Sequence, residues 1–80
     1  MILKDLLGVI ESRTLINLYV SKNPLWNAND EKMIMRECYP VHIITQLDEK
    51  RKNSNIIGVK VDCDNLYSDD ITLHICIFEA

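Results

Sequence analysis

The stretch that most constrains this chain is Ile71-Thr72-Leu73-His74-Ile75-Cys76-Ile77-Phe78. Successive side chains of a strand point to opposite faces, so Ile71, Leu73, Ile75 and Ile77 share one side and Thr72, His74, Cys76 and Phe78 the other. A row of aliphatic, largely β-branched residues on one face of a strand has to be removed from water. A second run, Asn55 to Cys63, places Ile57, Val59, Val61 and Cys63 on one face and is the natural neighbouring strand. The cover expected for this sheet is Ile2 to Glu11, where Ile2, Leu3, Leu6, Leu7, Val9 and Ile10 recur at the three- and four-residue spacing of an amphipathic helix.

The period then changes. Thr14 to Val20 reads as a strand with Ile16, Leu18 and Val20 inward and Leu15, Asn17 and Tyr19 outward. Ser21 to Pro24 has turn composition, and Leu25-Trp26-Asn27 suits a very short returning strand. Asn27 or Asn29 is placed to cap a helix over Asp30 to Glu37, which Pro40 would end. Val41 to Leu47 alternates as a strand, Asp48 to Ser54 reads as a solvated connection, and Asp64 to Asp70 as a polar turn. The expected fold class is therefore α+β. One domain, residues 1–80, would hold a small antiparallel sheet of four to five strands, covered by the N-terminal amphipathic helix and joined by a short middle helix.

Composition narrows the function. A chain of 80 residues carries one small core, so self-association into a homodimer would add useful buried area. The net charge of −3 argues against direct binding to nucleic acid or to an anionic membrane. Lys4 and Asp5 interrupt the first apolar residues, no stretch has membrane-spanning length, and a cytoplasmic location is expected. Cys38, Cys63 and Cys76 show no CxxC spacing and suit reduced thiols. His74-x-Cys76 offers too few ligands for zinc, and no nucleophile elbow or phosphate loop occurs, so neither metal, cofactor nor catalytic residue is expected.

The binding candidates are modest features. Asp62, Asp64, Asp69 and Asp70 crowd the last turn, with no basic residue after Lys60. They fit a solvated turn, a cation loop lacking the usual glycine and glutamate, or an acidic patch facing a basic protein surface. Lys50-Arg51-Lys52 has the charge for a phosphate but is preceded by Asp48 and Glu49. Tyr19, Trp26, Tyr39, Tyr67 and Phe78 are dispersed, which argues against a stacking platform. Leu15, Tyr19, Ile44, Ile56, Cys76 and Phe78 fall on the outer sheet face by alternation, and so much apolar material there points to a partner surface.

Leu3-Lys4-Asp5-Leu6-Leu7, Val9-Ile10, Thr14, Ile16, Leu18 and Tyr19 resemble the opening of small, mostly uncharacterised proteins encoded by phages and prophages of Gram-positive bacteria. Those often combine an LKDLL-x-VI helix with an I-x-L-Y strand. The resemblance covers the first quarter of the chain, is one of pattern, and carries over no functional residue. It implies a phage-type accessory protein that binds a host protein, for instance to inhibit CRISPR or another defence system. The expectation is thus a non-enzymatic inhibitor acting by occlusion. The alternatives are an oligomeric protein sequestering a nucleotide-like ligand, with Lys50, Arg51, Lys52 or Arg36 facing its phosphate, and a structural interaction module.

Overall fold

A computed structural model of the chain describes residues 1–27, 29–62 and 71–79. The described elements are α1 (Leu3–Leu7), β1 (Leu15–Ser21), β2 (Glu31–Cys38), α2 (Pro40–Gln46), α3 (Glu49–Lys52), β3 (Ile56–Asp62) and β4 (Thr72–Phe78). The chain is a mixed α+β fold with a four-stranded sheet in the order β2-β1-β4-β3. The pairs β1/β2 and β3/β4 are antiparallel, and the two inner strands, β1 and β4, run parallel. The sheet is therefore mixed rather than antiparallel throughout. Parallel neighbours need a long crossover, and here α2 and α3 carry the chain from one edge strand to the other.

The core lies on one side of this sheet. Ile16, Leu18 and Val20 of β1 and Ile75 and Ile77 of β4 pack there against Leu3, Leu7, Ile43 and Leu47. Alternation along β1 and β4 predicts that face correctly. Along β3 it does not: an irregularity between Ile56 and Gly58 turns Ile56 inward toward the core, beside Ile77. Val59 and Val61 keep the core side of the sheet, paired with Ile75 and Leu73, but are exposed, Val61 to 66%.

The cover differs from a single long helix. α1 has five residues instead of the expected Ile2 to Glu11, and Val9 is 77% exposed. Gly8 and β-branched Val9 are weak helix formers, and the chain turns there to enter β1. The start of α1 is tied to the sheet edge: Ile2 bridges Asn55, Leu3 N donates to Ser54 O at 3.0 Å and Ile56 N to Met1 O at 2.9 Å. These bonds serve where no side-chain cap exists.

The middle of the chain reverses the expectation. Glu31–Cys38 is a strand and Pro40–Gln46 a helix. Pro40 opens α2 at a first-turn position, where its missing N–H has no intrahelical partner to lose. Buried Pro40, Ile43 and Leu47 then follow helical spacing along one side. Asp48 caps α3 by accepting from Arg51 N at 3.2 Å, and Lys52 Nζ reaches Ile44 O at 3.1 Å near the end of α2. The expected solvated connection is thus an ordered helical turn.

Candidate functional site

The described helices sit on one side of the sheet, so its other side carries Asn17, Tyr19 and Ser21 of β1, His74, Cys76 and Phe78 of β4, and Gly58, Lys60 and Asp62 of β3. The loop Lys22–Asn27 folds back over this face rather than forming a returning strand. Its shape comes from its asparagines: Leu25 N donates to Asn23 Oδ1 at 3.0 Å, Asn29 N to Asn27 Oδ1 at 3.0 Å, and Asn23 Nδ2 to Asp30 Oδ2 at 3.2 Å. Trp26 is laid on the sheet as a result.

Gly58 makes room for it. A Cβ at this position would overlap Trp26 Cε3 and stand 3.2 Å from Cζ3, so only a glycine lets the indole lie this close to β3. The indole Nε1–H donates to Glu31, the Tyr19 ring is 5.7 Å away centroid to centroid, and Lys60 Nζ lies 4.2 Å from the indole centroid. That last contact is a cation–π pair.

Beside Trp26 runs a polar chain. Tyr19 OH and His74 Nδ1 are 3.0 Å apart, and His74 Nε2 is 3.5 Å from Asp62 Oδ2. Burial, then the Glu31 carboxylate, push the Tyr19 phenol above its ordinary value, partly offset by Arg36. Tyr19 therefore keeps its phenolic proton, and its O–H is placed to donate to Nδ1 while Nε2 faces Asp62. Cys76, between these strands, is fully buried, and its thiol is pushed up to about 11, by burial first and Glu31 second. It is held as a thiol, with little nucleophilic character.

Together these residues line a cleft of about 300 Å³ formed by Tyr19, Trp26, Glu31, Lys60, Val61, Asp62 and His74. No known protein family, curated protein or solved structure matches this chain. The cleft is therefore understood from its own chemistry: aromatic walls, two carboxylates, one ammonium and an imidazole between a phenol and a carboxylate, open to solvent.

The residues singled out from sequence divide between this cleft and elsewhere. Tyr19 and Asp62 are in it, and half-buried Phe78 lies further along the same face, opposite Ser21. Lys50, Arg51 and Lys52 lie on α3, where Arg51 Nε pairs with Glu79 at 3.0 Å and Lys52 Nζ with Glu49 at 2.7 Å. Arg51 is held further above its ordinary value by the Glu79 hydrogen bond. Asp64, Asp69 and Asp70 lie outside the described residues, as does Cys63. Ile44, expected on the outer sheet face, is on α2 instead, and Ile56 packs against the core. Trp26, Glu31, Lys60 and His74 are the additions, and the sequence signal for this packing is Gly58, the lone glycine of β3.

Among the described residues no group of three His, Cys, Asp or Glu side chains converges as a metal site. Among the described residues no helix is long and apolar enough to cross a membrane.

Proposed function

We propose that this chain is a non-enzymatic binding protein that engages a host protein through its open sheet face, with Trp26 at the centre of the contact. The observation that supports this reading is the indole seated on Gly58, walled by Tyr19 and Lys60, beside a cleft open to solvent. A rigid, partly buried aromatic ringed by polar groups is the composition of a binding hot spot. The resemblance of the opening segment to phage-encoded proteins extends the proposal to a phage-type accessory protein that inhibits a bacterial defence component by occlusion. An acidic net charge of −3 suits a basic target surface, since complementary charge speeds encounter.

The test is affinity capture from host lysate with wild-type protein, Trp26→Ala and Val41→Glu as baits, the last altering the exposed outer side of α2. A partner retained by wild type and Val41→Glu but lost with Trp26→Ala supports the proposal. A partner retained by Trp26→Ala and lost with Val41→Glu moves the working surface to the helix layer.

A further inference from the structure

The cleft holds more information than its position. Lys60 occupies one side of Trp26 as an internal cation, while Glu31 and Asp62 line the same cleft. Glu31 spends part of its hydrogen-bonding capacity on the Trp26 N–H. Asp62 is half-exposed and touches His74 only at 3.5 Å. Among the described residues, each carboxylate therefore keeps acceptor capacity beyond these contacts. Aromatic rings flanked by carboxylates, with an intramolecular ammonium already resting on the indole, form a cation receptor with its own stand-in.

Building on the proposed host-protein contact, we infer that this cleft receives the guanidinium of an arginine presented by a basic segment of the partner, which displaces the Lys60 ammonium from Trp26. A guanidinium suits the site better than an ammonium, because its planar face stacks on an indole while its edge donates to carboxylates. A phosphate-bearing ligand fits poorly, since Lys60 alone would face two carboxylates. The net charge of −3 favours the same sign of partner. Trp26 is already seated on Gly58 with a cation against its ring, so the arginine meets a preformed surface.

The indole N–H resonance of Trp26, the single tryptophan, reports binding directly. The probe is acetyl-Gly-Arg-Gly-amide, compared with its lysine and neutral citrulline counterparts, on the whole protein. The expected result is a saturable shift with arginine, a weaker one with lysine and none with citrulline. Lys60→Met should tighten arginine binding several-fold by removing the internal competitor, an effect that a merely structural lysine would not give. Glu31→Gln and Asp62→Asn, which keep shape and an acceptor oxygen, should each weaken it several-fold. Equal binding of citrulline, or weakening by Lys60→Met, overturns the inference. So does a shift by adenosine monophosphate that Lys60→Met abolishes, which would make the occupant an anion. A wild-type dimer dissociated by Trp26→Ala also overturns it, by seating a second copy in the cleft. If the peptides fail while capture of the host partner still depends on Trp26, only the arginine assignment falls; if both fail, the binding reading falls with it.

Discussion

Substituting Gly58 by alanine tests the packing on which the open face depends. The new methyl would overlap Trp26 Cε3 and press on Cζ3 at 3.2 Å and Cδ2 at 3.4 Å, so the indole has to tilt away from β3. Inserting a methyl into a well-packed contact costs about 1–3 kcal/mol, while replacing glycine within a strand by alanine gains about 0.5–1 kcal/mol. Gly58→Ala in the wild-type background is therefore neutral to destabilising by about 2.5 kcal/mol. With Trp26→Ala already in place the clash is gone, and the same substitution stabilises by about 0.5–1 kcal/mol. The two backgrounds therefore differ by a coupling of about 1–3 kcal/mol, well above the additivity error of about 0.3–0.5 kcal/mol. Urea unfolding of the four proteins measures it. Equal effects of Gly58→Ala with and without Trp26 would refute the placement of the indole on β3.

Leu18 and Ile43 are fully buried, one from the sheet and one from α2, and truncating either to alanine should cost about 2–5 kcal/mol, against less than about 0.5 kcal/mol for the exposed Val61, by the same unfolding assay. Glu37 has φ 48°, a left-handed conformation, where its backbone N–H meets Asn17 Oδ1 at 2.7 Å. Glu37→Gly should thus be neutral or stabilising by up to about 1 kcal/mol, opposite to the usual cost of glycine in a strand, and a clear loss would contradict the local geometry. Burial lifts the Cys76 thiol from 9.0 to about 11, so the folded chain keeps a proton that the unfolded chain releases. That contribution is intact below pH 9 and is lost as the pH rises toward 11; Cys76→Ala should show a shallower alkaline loss of stability, and an identical slope would count against the buried thiol. At pH 8 a thiol reagent should label half-buried Cys38 faster than Cys76 in the native protein.

The strongest periodicities translated directly into structure. β1 and β4 were visible because alternation and burial agree at Ile16, Leu18, Val20, Ile75 and Ile77. Their parallel pairing was not visible, since it depends on where the α2–α3 connection delivers the chain. The middle failed for a different reason. Glu31 to Cys38 is rich in helix formers, yet pairing with β1 overrides that weak preference. Val41 to Leu47 alternates only in part, since each face mixes apolar and polar residues, which fits a helix burying Ile43 and Leu47 better than a strand. Pro40 can end a helix that precedes it, but equally starts the one that follows, as it does here. The cleft gathers Tyr19, Trp26, Glu31, Lys60, Asp62 and His74 from all four strands and the loop between β1 and β2. Only Gly58 hinted that something large approaches β3, and nothing local said that it would be Trp26.

The most direct measurement is residue-resolved amide and indole shift mapping of the ¹⁵N-labelled protein as the captured host partner is added. The account predicts changes centred on Tyr19, the Trp26 indole, Gly58, Lys60 and His74, with α2 left unperturbed. Changes confined to Tyr39, Val41 and Ile44, with the Trp26 indole unmoved, would contradict it.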